Sequence, residues 1–258
     1  MSATVEKALQ LIEALARSEA PVGVSQLGRE LKLNKSTVYR LVDTLVRNGY
    51  AQQDTATGRY ALTPRLWEMG VGVVQRLGLG QAARPVLERE AAATGEATLL
   101  GIVEARHALI LDKVDSPQAL QIFSPLGSRV SLCHSSIGRA LLAFRPPDFI
   151  ESLAADFAPL TPHGIQTRPA LLRELEKVRR EDCAHSVDEW QVGVAGVAAP
   201  IRDATGAVTS ALCITGPSSR LGPAQLGDLA RRCIDAARSV SDLLGRRGVQ
   251  APRAPACL

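Results

Sequence analysis

The chain has 258 residues, of which 46% are hydrophobic and 22% are charged. This length suits two domains, and this composition excludes a wholly disordered chain. The five cysteines are odd in number and form no C-x-x-C pair, which argues against a disulfide framework. The first residues lack the basic start and apolar run of a signal peptide, and no apolar stretch is long enough to span a bilayer. We therefore expect a cytoplasmic protein with no membrane segment.

The basic charge is concentrated at the two ends of the chain. Residues 1–80 hold ten Lys or Arg against seven Asp or Glu, whereas residues 81–245 hold 17 against 19. Residues 246–258 add three arginines and no acid, which brings the net charge to +4. A basic head on a slightly acidic body suits a protein that meets a polyanion at one end. With only 3% aromatic residues, the stacking platforms that bind single-stranded nucleic acid are not expected.

Residues 1–63 follow the plan of a winged helix-turn-helix domain. The sequence predicts a helix at about 4–17, a short helix at 25–31 and a third helix at 35–47. A hairpin follows, with strands at 50–53 and 59–62. Ser25 is expected to cap the second helix and Asn34 the third, because their side-chain oxygens accept from free backbone N–H groups. Asn48-Gly49 is expected to end the third helix.

The third predicted helix carries the clearest signal. Its apolar stripe consists of Val38, Leu41, Val42, Leu45 and Val46. A helix with one apolar face locked inward and donors on the other fits a major groove about 12 Å wide. We expect Arg40 to contact a base edge with both ends of its guanidinium, and Lys35 and Arg47 to contact phosphate. The complete set of predicted DNA-binding residues is Ser25, Gln26, Lys35, Ser36, Thr37, Tyr39, Arg40, Arg47 and Arg59.

A linker helix is predicted within residues 64–80, and its apolar face would lie in water in a monomer. Gly78-Leu79-Gly80 marks the expected boundary with a mixed domain over residues 81–245. In that domain, helices are predicted at 81–94, 137–144, near 148, near 169 and at 223–244, and strands at 97–104, 109–115, 119–124, 196–202 and 207–215. The tail, residues 246–258, is predicted to be disordered.

Three motifs occur in order along the chain: Leu33–Leu41, Ser136–Ala143, and Ala198–Gly206 with the later Gly216-Pro217. On these motifs the chain resembles the IclR family of transcription regulators over nearly its whole length. The resemblance implies an α+β fold in two domains: an N-terminal winged helix-turn-helix, a linker helix, and a C-terminal mixed α/β effector-binding domain of the GAF/PAS type. It also implies homodimers, often paired into tetramers, and promoter DNA as partner. The implied effector is a small organic molecule, frequently a carboxylate or aromatic catabolite. We expect no cofactor.

Matching the family's motifs to this chain gives the expected effector-binding residues: Ser135, Ser136, Ile137, Ser186, Val194, Gly196, Cys213 and Thr215. A helix starting near Ser136 leaves free N–H groups, and the two serine hydroxyls add donors, which favours an anion. Gly196 is expected to leave room for a ligand. Ser136 also fits a plain N-cap, and Cys213 also fits a small core residue. The chain departs from the family at Asp182-Cys183, Trp190 and Cys133-His134-Ser135, so the effector cannot be copied from a relative.

Three other functions fit parts of the sequence. A hydrolase would use Cys133 with His134, but neighbours on one strand point to opposite faces, and no G-x-S-x-G elbow is present. A metal sensor would use these two residues with Cys183 and His185, at a spacing that matches no standard zinc site. A protein-interaction module would keep the fold without binding DNA. We expect a regulator and no enzyme, with repression relieved by ligand as the default and activation as the alternative.

Overall fold

The computed structural model describes residues 2–155 and 157–247. The chain divides between Val73 and Val74 into two compact units. The smaller unit contains α1 (Ala3–Arg17), α2 (Val24–Glu30), α3 (Lys35–Arg47), β1 (Ala51–Gln53), β2 (Tyr60–Leu62) and most of α4 (Arg65–Arg76). The larger contains α5 (Leu79–Thr94), β3 (Ala97–Glu104), β4 (His107–Val114), β5 (Arg129–Ser131), α6 (Ser136–Leu142), α7 (Pro147–Ala155), α8 (Arg168–Glu181), β6 (Ala184–Val187), β7 (Val194–Arg202), β8 (Val208–Pro217) and α9 (Pro223–Arg247).

The smaller unit is a three-helix core with a β-hairpin, as the sequence predicted. Leu11 of α1, Leu27 of α2 and Val38 and Val42 of α3 are fully buried in one cluster. Tyr60 of β2 closes that cluster and pairs with Val22, so the segment before α2 extends the hairpin. Three helices therefore hold one another at fixed angles through a single apolar core.

The larger unit is built on a six-stranded antiparallel sheet in the order β5-β4-β3-β8-β7-β6. Helices α5 and α9 cover one face and α6, α7 and α8 cover the other. Because both faces are covered, β7 and β8 are buried almost throughout. The predicted turn between them is present: the Asp203 carboxylate accepts from the N–H of Thr205 at 2.8 Å, and Gly206 takes a positive φ of 83°.

Several predicted details differ from the structure. Gly23 and not Ser25 occupies the N-cap of α2, which begins one residue earlier than predicted. The predicted strand at 119–124 is absent from the described residues: β5 pairs with β4 in its place, and the side chain of Phe123 is 82% exposed. Strand β6 was not predicted, because its four residues show no apolar alternation.

Two further boundaries differ. Helix α5 already begins at Leu79, and Gly78 supplies the break with a positive φ of 66°. Residues 246 and 247 of the predicted disordered tail belong to α9, and the rest of that tail lies outside the described residues.

Gly138 in α6 gives a test of this packing. A Cβ atom there would lie 2.6 Å from the Cα of Leu132 and 2.8 Å from the Oγ of Ser135, so the backbone must shift. We expect Gly138→Ala to lower the free energy of unfolding by about 1–3 kcal/mol, measured by chemical denaturation. Gly227→Ala is the control: α9 leaves that position open, and alanine favours a helix over glycine by about 0.8–1 kcal/mol. Equal stability of the two variants would contradict this packing.

Candidate DNA-binding surface and effector site

The N-terminus of α3 is fixed by its cap. The Asn34 side chain accepts from the backbone N–H of Thr37 at 2.8 Å and from the Ser36 hydroxyl at 2.9 Å. Behind this cap, Val38, Val42 and Leu45 are buried, so the rotation of the helix about its axis is set by the core. Both features leave the same face of α3 pointing outward.

The outward face of α3 carries most of the predicted DNA-binding residues. Lys35, Ser36, Tyr39, Arg40 and Arg47 are exposed, and Thr37 is half-buried beside the cap. Tyr39 is 55% exposed although it is a large aromatic residue. A large side chain and several donors held in water on a rigid helix form a surface that can contact a partner.

The charges on this face are not equivalent. Arg47 pairs with Asp43 one turn earlier on the same helix, so part of its charge is already compensated. Among the residues that the structure describes, Lys35 and Arg40 make no ion pair. Their charges are therefore available to a polyanion without breaking an existing contact.

The remaining predicted DNA-binding residues flank α3. The side chains of Ser25 and Gln26 are exposed on α2, and Arg59 is exposed on the hairpin. The hairpin loop is ordered by Asp54, which accepts from the Ala56 N–H at 2.9 Å and the Thr57 hydroxyl at 2.6 Å. These hydrogen bonds lower the pKa of the Asp54 carboxyl below its usual range. The loop therefore keeps its shape at neutral pH.

The predicted effector-binding residues come together in the larger unit. Ser186, Gly196 and Thr215 lie opposite one another across β6, β7 and β8. The Oγ of Ser136 at the start of α6 lies 3.6 Å from the Sγ of Cys213 on β8. Val194 opens β7, half-buried, and the other predicted residues are buried. Ile137 packs in the same apolar cluster as Cys213, and its Cδ1 lies 2.7 Å from the position that a Cβ of Gly101 on β3 would take.

Most of the hydroxyl donors in this group are already used inside the protein. Ser135 donates to the carbonyl of Ser131 at 2.7 Å, Ser186 to that of His134 at 3.1 Å, and Thr215 to that of Ala195 at 2.8 Å. Ser135 and not Ser136 caps α6, accepting from the N–H of Gly138 at 3.0 Å. The Ser136 hydroxyl differs from these, because its partner is the thiol of Cys213. The structure therefore does not contain the expected cluster of free hydroxyl donors at this place.

The room expected at Gly196 is also taken. A Cβ atom at this position would lie 3.0 Å from the carbonyl oxygen of Ile214 and 3.1 Å from the hydroxyl of Thr215. The glycine permits close packing of β7 on β8 at this point.

A buried ion pair beside this group was missed at the sequence level. Arg139 on α6 is 1% exposed and holds the Glu189 carboxylate with both ends of its guanidinium. The available signal was an arginine inside the otherwise small and apolar segment Ile137–Ala143, where a charge must find a buried partner.

The cysteine and histidine residues are not arranged for catalysis. Burial raises the pKa of the Cys133 thiol to about 11, so the thiolate is scarce at neutral pH. The ring nitrogens of His134 lie 2.7 Å from the Ser131 hydroxyl and 2.9 Å from the Ala158 carbonyl, and burial lowers the pKa of this ring. A neutral histidine with both nitrogens engaged has no contact with the Cys133 thiol.

The metal-sensor alternative has no geometric support in the described part of the chain. No three His, Cys, Asp or Glu side chains within residues 2–155 and 157–247 lie close enough together to hold a metal ion. In the same residues, every helix is too short or too polar to cross a bilayer.

Two family models match this sequence and divide it as the fold does. The IclR helix-turn-helix domain matches residues 4–55, and the bacterial transcriptional regulator IclR C-terminal domain matches residues 71–242. Among curated proteins, the transcriptional repressor YiaJ of Escherichia coli (strain K12) is 30% identical over 249 residues, covering 95% of this chain and 88% of YiaJ. The transcriptional regulator KdgR of the same organism is 29% identical over 244 residues, covering 94% and 92% of the two chains.

Solved structures agree with this assignment. A transcriptional regulator from Rhodococcus sp. RHA1 superposes with a TM-score of 0.84 at 26% identity, covering 96% of this chain and all of that one (100%). An IclR homolog from Microbacterium hydrocarbonoxydans, complexed with 4-hydroxybenzoate, gives a TM-score of 0.83 at 25% identity, covering 94% and 99%. The predicted fold class is confirmed. The relatives are transcription regulators, and this chain belongs to the IclR family of DNA-binding bacterial transcriptional regulators.

Proposed function

We propose that this regulator represses transcription by placing α3 in the major groove of promoter DNA, and that a small organic effector relieves the repression. The observation that carries the DNA-contact assignment is the outward face of α3, where Arg40 and Lys35 stand free of ion pairs among the described residues. Arg40 makes the base contact, while Lys35 and Arg47 contact phosphate. Activation by ligand is the alternative, and the same surface serves it.

The effector binds the larger unit beside Ser136, Ser186 and Thr215. A related regulator of the same fold is solved with 4-hydroxybenzoate, which supports a small aromatic or carboxylate ligand. Because Gly196 is packed against Thr215 and the hydroxyls here bond to the main chain, we infer that binding moves part of the wall of this group. That movement is what changes the spacing of the DNA-binding heads.

The functional unit is a homodimer joined through α4, and pairs of dimers form tetramers. No residue of α4 is buried within one chain. Trp67 is 71% exposed, and the half-buried Val71 and Val74 follow it at i+4 and i+7, so the three form an apolar helix face that a second copy would cover. We place the protein in the cytoplasm, where promoter DNA is located. The reducing conditions there also fit the four described cysteines, which are buried and form no disulfide.

Replacing Arg40 tests the base contact. We expect Arg40→Ala to cost about 1–3 kcal/mol of binding free energy and to relax selectivity at one base pair. Fluorescence anisotropy with the regulator's own upstream DNA and with single-base variants of it measures both effects. Arg173→Ala removes an equally exposed cation from α8 and should leave binding unchanged. If Arg40→Ala binds the upstream DNA with unchanged affinity and base selectivity, another surface of the protein makes the base contact.

Replacing Trp67 tests the dimer. Trp67→Asp places a charge in the middle of the apolar face of α4, so the variant should be monomeric at concentrations where the wild type is dimeric. Sedimentation equilibrium measures the dissociation constant, with Glu68→Gln on the same helix as the control. A Trp67→Asp protein that stays fully dimeric would show that the two copies meet elsewhere.

A further inference from the structure

The guanidinium of Arg139 is a buried cation with a single carboxylate partner among the described residues. Its Nη1 donates to Glu189 Oε2 at 2.8 Å and its Nη2 to Glu189 Oε1 at 2.9 Å. It also donates to the carbonyl of Cys133 at 3.3 Å and to that of His185. Its Nε–H is buried and has no acceptor within the described chain. One donor of this cation is therefore left unsatisfied.

Arg139 lies at the wall of the candidate effector site. It follows Ser135 and Ser136 by about one turn of α6, so the three side chains share a helix face. Two backbone carbonyls accept from its guanidinium, those of Cys133 and His185. These residues directly precede His134 and Ser186 in the sequence. A ligand that reaches Ser136 and Ser186 therefore comes close to the guanidinium.

The two partners differ in how freely they can move. Arg139 is 1% exposed on a helix packed against the sheet, whereas the side chain of Glu189 is 16% exposed. Glu189 belongs to the loop between β6 and β7, in which Val192 is 62% exposed. The backbone of this loop is held by Thr161, whose hydroxyl lies 2.6 Å from the carbonyl oxygen of Asp188 and 3.3 Å from that of Glu189. The side chain of Glu189 can therefore turn towards water, whereas that of Arg139 cannot.

We propose that Arg139 is the carboxylate receptor of the effector site, and that Glu189 is a built-in carboxylate which occupies the receptor until an organic acid displaces it. The inference rests on the proposed effector-controlled function and names the residue that reads the effector. Displacement releases the loop between β6 and β7, which converts binding of an anion into a change of shape.

The exchange is favourable in electrostatic terms because one carboxylate replaces another. An unpaired guanidinium at this depth would be strongly destabilising, so the cation must hold an anion in either state. The displaced Glu189 regains its hydration at the surface. An incoming ligand also supplies an oxygen for the unsatisfied Nε–H, which Glu189 in its present position does not.

The same geometry defines the class of ligand. Glu189 competes intramolecularly, at an effective concentration on the order of millimolar or above, so a bare carboxylate such as formate cannot displace it efficiently. An apolar body that packs beside Cys213 supplies the missing affinity. Of the titratable groups beside the cation, Cys133, His134 and His185 are kept neutral by burial, so they do not compete for the carboxylate.

Removing the competing carboxylate gives the first test. In a Trp67→Phe background, the emission of Trp190 reports on the loop that carries Glu189. Benzoate should alter this emission and raise the melting temperature, while benzamide should do neither. Glu189→Gln keeps the shape but not the charge, so it should bind benzoate about tenfold or more tightly than the parent. Equal responses to benzoate and benzamide, or weaker benzoate binding by Glu189→Gln, would overturn the proposal.

Chemical rescue gives the second test, and it holds even if the variant is unstable. Glu189→Ala leaves the cation unpaired, so its melting temperature should fall and tens of millimolar acetate should restore it. Acetamide, and sodium chloride at the same ionic strength, should not. Glu96→Ala is the matched control: its 5% exposed carboxylate pairs with Arg220, which is 33% exposed and can be solvated by water. Rescue of both variants to the same extent, or of neither, would contradict a specific receptor.

The DNA-binding assay separates this proposal from the proposed function. If acetate and benzoate have no selective effect on any variant while the wild type still binds its upstream DNA, Arg139 is not the receptor and the regulator assignment stands. If benzoate binds as expected but DNA is ignored, the effector site stands without the promoter function.

Discussion

In the larger unit, one buried cation must be kept paired. Arg139 sits on a helix that is buried along its whole length, and its charge cannot be solvated there. Its hydrogen bonds therefore draw together three separate segments: the turn before α6 at Cys133, strand β6 at His185, and the following loop at Glu189. Since each of these contacts offsets part of the cost of burying the charge, the three segments hold one another in register.

The smaller unit presents a rigid outer surface. The rigidity comes from burying one apolar stripe of α3 and from capping the first turn of this helix with Asn34. Most side chains of the outer face lie in water and take no part in the core, so they can contact a partner. In the larger unit the opposite holds, because the hydroxyls of Ser135, Ser186 and Thr215 already donate to main-chain carbonyls.

The sequence was most informative where local chemistry decides structure. The cap at Asn34, the stop at Gly49 and the turn at Asp203–Gly206 depend on the intrinsic preferences of these residues, and the structure has all three. The strand predicted at 119–124 failed because tertiary pairing overrode a local preference: the edge of β4 is taken by β5. The short strand β6 carries no local signal, since its position is set by β7.

The candidate sites show the same division. Exposure of the predicted DNA-binding residues follows from helical periodicity and needs no knowledge of distant contacts. The hydroxyl groups of Ser135, Ser186 and Thr215 are donors by composition, but only the fold reveals that their protons point to nearby carbonyls. The pairing of Arg139 with Glu189 joins residues 50 positions apart and could not be read from spacing.

The absence of any buried residue along α4 has a consequence for gene dosage. A 12-residue helix without a packed face is marginal in water, and the proposed dimer would supply the missing face. Where association supplies that face, the population of competent regulator rises with the square of its free subunit concentration at low abundance. A cell that halves the synthesis of such a protein then loses more than half of its control over the target promoter.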